Sequence, residues 1–401
     1  MVLLEEQRVP PSLLYAAFEG YPGHKGAHTH IRHILRGAAE IFPTRTLVTL
    51  GQGLEGKDPL TGAIHLPVAV AEANLLRRSE VFGQEVLRIA DRLLSSPPAV
   101  IHFRDIWSGL PLLSHPLART AAIIFEVNGL PSLELSAHYP RLAANGPLLS
   151  RLRSVEDRCL ARAARVVTVS ETGARYLRER GVEARKLHVI PNAGHLPASG
   201  EKICGASGVV SVAEVVVYVG TLAPWQGIDL LLQALVHLQH RKRLRLLIVT
   251  PGKKWLRLTT ASAERLGVGD RIEIKVAQTP AAVCNLVSAA ALTVAPLARG
   301  ARNELQGCSP LKIVEAMACG TPVVAADLPV VRELVRHGET GWLVSPDSPR
   351  ALASGLEQLL ADPALRDRLA AAARQTARER FSLPLFTRKM ERLYREAMEE
   401  R

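Results

Sequence analysis

Aromatic residues make up only 4% of this 401-residue chain, and they do not interleave with basic residues to form a stacking platform for bases. That scarcity argues against a nucleic-acid binder, so the net charge of +12 calls for another explanation. Long apolar runs are missing too. No stretch approaches the ~18 continuous apolar residues of a membrane span, and a transmembrane helix is not expected. The short run from Leu13 to Phe18 follows Glu5 and Glu6, without a basic leader or small-residue cleavage site. No secretory signal is expected, and the chain is placed in the cytoplasm.

Cysteine is sparse and unpatterned. Cys159, Cys204, Cys284, Cys308 and Cys319 are odd in number and lack CxxC or Cys/His ligand spacing. This excludes a disulfide framework and a zinc site and leaves reduced thiols, mostly in cores. There is no HExxH, catalytic triad or two-carboxylate hydrolase spacing. The mixed spacing of His24, His28, His30 and His33 at a helix start reads as a polar helix face, so neither a metal nor a cofactor is expected.

What is present is ordinary globular composition, 47% hydrophobic and 22% charged, in a chain longer than one core normally serves. Two domains are expected. Short apolar runs, Gly/Pro/Ser turns and amphipathic helical stretches alternate, as in parallel βαβ units. Predicted strands in the first half are Ser12 to Phe18, Thr46 to Leu50, Val100 to Phe103, Ala122 to Val127, Val166 to Ser170 and Leu187 to Ile190. PASGEKICGAS, Pro197 to Ser207, breaks the rhythm and marks a boundary. Strands resume at Val215 to Gly220, Leu244 to Val249, Arg271 to Lys275, Ala291 to Pro296 and Pro322 to Ala326, and the chain is helical after Asp347. The expected division is residues 1–200, residues 201–380, and a C-terminal helix, 381–401, packing back toward the first domain.

Two segments carry chemistry. The first strand runs into EGYPGHKGAHTHIRHIL, a glycine loop opening a helix, where exposed amides and the helix dipole favour an anion. Gly23, Lys25 and Gly26 are the candidates. In SPLKIVEAMACGTPVVAAD, Ser309 to Asp327, Ser309 is expected to cap a helix that buries Leu311, Val314 and Ala318, with Gly320 ending it. Lys312 and Glu315 share one face of that helix. At the ligand end of an open sheet, the ammonium would neutralise a diphosphate and the carboxylate would accept from ribose hydroxyls.

With FEVNGLPSLEL, VVTVSETGARYL, KLHVIPNAG, YVGTLAPWQGIDLLLQAL and ELVRHGETGWLVSPDS, these segments resemble, in order, the family 4 retaining glycosyltransferases over nearly the whole chain. The resemblance implies the GT-B fold, two Rossmann-like domains facing across a cleft, acting on a nucleotide sugar without a bound metal. It implies a donor site of Gly23, Lys25, Gly26, Thr221, Gln226, Arg302, Ser309, Pro310, Leu311, Lys312 and Glu315. Three departures stand out. Gly307 replaces the first glutamate of the family's E-x7-E pattern, and Thr221 and Gln226 stand where many members hold the diphosphate with Arg and Lys. Lys312, with Arg302, is expected to take over that charge. Asn128 aligns with a histidine beside the reacting sugar, and Glu126, on the same face by strand alternation, is a second candidate for catalysis.

The expected reaction is hexosyl transfer with retention to a glycan, lipid-linked or small-molecule acceptor held by the first domain. Alternatives are a nucleotide-sugar epimerase or phosphorylase of the same fold and a non-catalytic nucleotide-sugar binder. Arg151, Arg158, Arg162 and Arg165, at offsets of 0, 7, 11 and 14, share one helical face. That face suggests peripheral contact with an anionic membrane, alongside its plainer reading as a solvated arginine surface.

Overall fold

The computed structural model describes residues 10–139, 145–194, 214–276 and 278–400. The boundary expected at Pro197 to Ser207, together with Cys204, lies outside the described residues. The first half holds β1 (Ser12–Gly20), β2 (Thr44–Leu50), β3 (Gly56–Lys57), β4 (Ile64–Val68), β5 (Val100–Phe103), β6 (Ala122–Val127), β7 (Arg165–Thr168) and β8 (Leu187–Val189). They form one sheet in the order β3-β4-β2-β1-β5-β6-β7-β8, parallel except for β3. The second half holds β9 (Glu214–Val219), β10 (Leu244–Thr250), β11 (Ile272–Val276), β12 (Leu292–Ala295), β13 (Val323–Ala326) and β14 (Trp342–Val344). These form a parallel sheet in the order β11-β10-β9-β12-β13-β14.

The apolar runs form these strands because helices cover both faces of each sheet. Along β1, Leu14 and Ala16 enter one core while Leu13, Tyr15 and Ala17 enter another. Along β9, Val216 and Tyr218 point one way and Val217 the other. The runs Val100 to Phe103 and Ala122 to Val127 keep their expected limits, and the other expected strands shift by one or two residues at one or both ends. The strands β3, β4 and β14 went unread: β3 and β14 have two and three residues, and Pro67 interrupts the pattern of β4.

Helix Leu383–Glu399 returns to the first half, inserting Phe386, Met390, Leu393, Tyr394 and Ala397 into its core at helical spacing. It explains two corrections. His28, His30 and His33 are buried rather than forming a polar face; the rings of His30 and His33 meet Phe386 with centroids 5.7 and 6.2 Å apart. Arg165 leaves the arginine face, because helix Gly146–Arg162 ends before it and Ala163 is extended. Buried at the start of β7, Arg165 donates to Glu400 Oε2 at 2.6 Å and to the Glu396 carbonyl at 3.1 Å. Arg151, Arg158 and Arg162 stay exposed.

Strand order reverses between β1 and β5 in one sheet and between β9 and β12 in the other. A crevice at the carboxyl ends of the strands opens at such reversals, which makes them the natural ligand sites.

Candidate active site

Helix Leu311–Cys319 starts beside the reversal in the second sheet. Its Lys312 reaches back to the loop after β9, where Nζ donates to Gln226 Oε1 at 2.7 Å and lies 4.1 Å from the centroid of the Tyr218 ring. The Tyr218 hydroxyl in turn donates to the Thr221 carbonyl at 2.5 Å. A methyl carbon added at Gly220 would stand 2.9 Å from Nζ, so the ammonium sits directly over this loop. Among the described residues no carboxylate pairs with Lys312, and burial pushes its ammonium down to about 7, opposed only by the charge of Cys308. Burial, with Cys284 adding, pushes the Glu315 carboxyl up to about 7. The two share the helix without forming an ion pair, because Lys312 is drawn toward Gln226. They place a partly buried cation and a partly buried acid at the candidate site.

Ser309 does not cap this helix. Pro310 occupies the cap position without a side-chain bond, and Ser309 is held by the first half: its Oγ accepts from the Asn192 amide at 3.3 Å and its carbonyl from Asn192 Nδ2 at 2.7 Å. Val314 and Ala318 are buried as expected, but Leu311 is only partly so and faces Gly26, where an added Cβ would meet Leu311 Cδ1 at 2.9 Å. The glycine loop and the SPLK segment, 285 residues apart at Gly26 and Leu311, therefore touch across the cleft. In that loop Lys25 Nζ is 3.0 Å from Glu19 Oε1, and Gly23 lies against the His28 ring. Burial opposes charge on Glu19, but the His28 hydrogen bond and the Lys25 charge prevail and lower its carboxyl to about 2.

Three further contacts join the halves. Gly307 has φ +81°, and a Cβ there would fall 2.1 Å from Ser170 Oγ and 2.6 Å from the Gly173 amide. The position that carries a glutamate in the family has no room for a side chain here. Beside it, Arg302 is ion-paired with Glu134 of the first half, so its guanidinium is not brought to Lys312. Farther along, Glu333 accepts from the Glu171 and Thr172 amides at 2.7 and 2.8 Å, capping a first-half helix from the second half.

At the end of β6, Glu126 is 1% exposed and surrounded. His30 Nε2 lies 2.7 Å, His102 Nε2 3.3 Å and Arg104 Nε 3.4 Å from its oxygens, the Tyr15 hydroxyl donates at 3.0 Å, and Asn128 Nδ2 also donates to it. Burial works against its charge, yet the His30 charge, the two histidine hydrogen bonds and Arg104 hold the carboxyl well below its usual range. Glu126 and Asn128 do meet. The carboxylate is enclosed by these groups. His30, His102, Arg104, Glu134 and Asn192 were not identified as site residues from sequence. Of these, His30, Glu134 and Asn192 lay in motif blocks, the glycine loop, FEVNGLPSLEL and KLHVIPNAG. Among the described residues no group of three or more His, Cys, Asp or Glu is arranged to hold a metal.

Two parallel sheets, with a ligand site at the strand reversal of the second and the glycine loop opposite, define a GT-B protein. Residues 25–193 match the family model described as glycosyl transferase 4-like domain, and residues 204–376 that of glycosyl transferases group 1. By these two domains the chain belongs to the GT-B glycosyltransferases. It is 32% identical over 242 residues to a D-inositol 3-phosphate glycosyltransferase of Nocardiopsis dassonvillei, covering 57% of this chain and 54% of that one. A Rhodococcus opacus protein of the same description is 29% identical over 291 residues, covering 70% and 60%. The chain spans about half the length of the curated relatives it matches. Its fold is similar to sucrose-phosphate synthase from Thermosynechococcus elongatus, with a TM-score of 0.79 at 21% identity, covering 98% of this chain and 100% of that one. Anabaena HepE in complex with UDP and glucose superposes with a TM-score of 0.73 at 20% identity, covering 95% and 98%.

Proposed function

We propose that this chain transfers a hexosyl group from a nucleotide sugar to an acceptor bound against the first half, with retention and without a resident metal. One observation carries the reading: Lys312, partly buried at the strand reversal and tethered to Gln226, has no carboxylate partner among the described residues. A partly buried cation without a counter-ion is held at a cost, and a diphosphate supplies the missing charge. Glu315, one helical turn on, accepts from the donor ribose, while the Gly23 to Gly26 loop faces the departing phosphate from across the cleft. Transfer is then driven by positioning and by electrostatic stabilisation of the leaving diphosphate.

Anabaena HepE, solved with UDP and glucose, makes a UDP-hexose the first donor to test. The description of the bacterial relatives makes a phosphorylated polyol the first acceptor, ahead of glycans and lipid-linked sugars. The proposed setting is the cytoplasm, with Arg151, Arg158 and Arg162 touching anionic lipid where the acceptor is membrane-borne. No helix among the described residues is long and apolar enough to cross a membrane.

The departures at Gly307, Gln226 and Asn128 also fit a protein that binds nucleotide sugars without turning them over. Incubation with UDP-, GDP- and ADP-hexoses and candidate acceptors, with the product anomer assigned by NMR, separates the two. An α-linked product from an α-linked donor supports retaining transfer; inversion refutes it, and tight donor binding without product or hydrolysis favours the binder.

A further inference from the structure

A bound nucleotide sugar needs acceptors for the hydroxyls of its sugar as well as a cation for its diphosphate. The second half offers no carboxylate at position 307, where the positive φ and the contacts with Ser170 and Gly173 exclude any side chain. The first half places one beside it. Glu134 lies in the first turn of helix Pro131–His138, just past the carboxyl end of β6, and its side chain is 18% exposed. Its Oε1 is occupied, accepting from Gln306 Nε2 at 2.9 Å and from Arg302. Gln306 is locked in place, because its Oε1 accepts from the Leu130 amide at 3.0 Å and its Nε2 also reaches the Asn128 carbonyl at 3.3 Å.

Oε2 is different. It lies over the backbone of Gly129, where an added Cβ would approach within 2.6 Å, and among the described residues nothing donates to it. The carboxylate is thus clamped by two groups from the opposite half through one oxygen, with the other open. The partly buried Cys308 thiol lies within electrostatic reach of both the Glu134 carboxylate and Lys312.

We infer that Glu134 is a sugar-binding residue supplied by the first half: its open Oε2 accepts a hydrogen bond from a hydroxyl of the donor's hexosyl group, with Arg302 and Gln306 fixing its orientation. The inference rests on the nucleotide-sugar reading of the Lys312 site. It also gives Arg302 a different task from the one expected of it. Instead of neutralising the diphosphate, the guanidinium holds the carboxylate in place through Oε1. Because donor recognition then needs groups from both halves, the hexosyl group is recognised only where the halves meet.

The test compares binding of UDP-glucose, GDP-mannose and ADP-glucose with binding of UDP, GDP and ADP, by calorimetry, in the wild type and in Glu134→Ala and Glu134→Gln. For the nucleotide sugar that the wild type binds, Glu134→Ala should weaken affinity about tenfold or more, the ordinary loss for a hydrogen bond to a charged group. Affinity for the parent diphosphate should stay within about twofold. Deoxygenating the sugar one position at a time should identify one analogue that wild type and Glu134→Ala bind equally, which a purely structural role would not produce. Glu134→Gln should fall between the two. Equal losses for sugar nucleotide and parent diphosphate, or no loss for either, would overturn the inference while leaving the Lys312 site intact. Failure of the wild type to bind any of the six ligands would overturn the nucleotide-sugar reading itself, and this inference with it.

Discussion

Lys312 Nζ donates to Gln226 Oε1 at 2.7 Å, joining the start of helix Leu311–Cys319 to the loop after β9. The pair shows how one half of the protein can keep a cation poised without neutralising it. A carboxylate at position 226 would quench the ammonium, whereas the glutamine orients it and leaves its charge available to a ligand.

That arrangement predicts a bell-shaped pH dependence of donor affinity. Burial holds Lys312 at about 7, so above that pH the empty site must take up a proton before it pairs with a diphosphate. Burial holds Glu315 at about 7, so below that pH the site must release a proton before the carboxylate accepts from ribose. Affinity for a nucleotide sugar, whose diphosphate diester does not titrate in this range, should peak near neutrality. Calorimetry in buffers of differing ionisation enthalpy should show proton uptake on the alkaline side and release on the acid side. Lys312→Met should abolish the first and Glu315→Gln the second.

The same groups set a stability signature. Lys312 is depressed relative to its ordinary value, so its cost to the fold is full below about 7 and is relieved as pH rises toward 10.5. Glu315 is raised, so its contribution is full below 4.5 and is lost as pH rises through about 7. Lys312→Met should therefore raise the melting temperature at about pH 6 while lowering turnover, the pattern expected of a functional residue held against its own solvation. A melting temperature that falls together with activity would assign Lys312 a structural role. Glu315→Ala should weaken donor binding about tenfold or more in a folded protein.

Restoring the family's glutamate should fail. At Gly307→Glu the side chain must enter space held by Ser170 Oγ and the Gly173 amide, from a backbone with φ +81°. That backbone, with positive φ and extended ψ, costs a residue other than glycine about 1 to 3 kcal/mol, and the collision adds to it. Thermal melting should show a loss of several degrees, and donor affinity should drop instead of rising.

Glu126 concentrates more polar contacts than any other group described above, most of them buried. Removing one partner of such a network leaves charges with no counter-ion, at about 3 to 5 kcal/mol. Glu126→Ala should lose roughly that much by urea denaturation, and Glu126→Gln less, because the amide oxygen can still accept at one of the two positions, from Tyr15 or from His30. Because the carboxyl is depressed, its stabilisation is present above 4.5 and is lost as pH falls further. The acid limb of the wild-type stability curve should flatten in Glu126→Gln.

The exposed arginines give the membrane its test. With Arg165 bound to Glu400, three residues remain, each contributing about 1 kcal/mol near an anionic surface. Sedimentation with anionic vesicles should pull down the wild type at low salt, less at high salt, and much less after Arg151, Arg158 and Arg162 are changed to Gln. Equal association with neutral and anionic vesicles, or none, leaves a solvated surface.

The sequence by itself determined the alternation of strands and helices, because that depends on local periodicity: the buried runs of β5 and β6 are legible residue by residue. It also determined the GT-B resemblance, because several motif blocks recur in order. Tertiary structure alone decided which charges are spent and which are open. Arg302 looked available until Glu134 came to it from the other half, 168 residues away. The histidines looked like a solvated face until helix Leu383–Glu399 and Glu126 covered them. Gly307 looked like a lost carboxylate until Ser170 and Gly173 filled its space. Each outcome turns on a long-range contact, and helical or strand spacing carries no information about which distant residue will arrive; only the packing of the two sheets and the returning C-terminal helix supplies it.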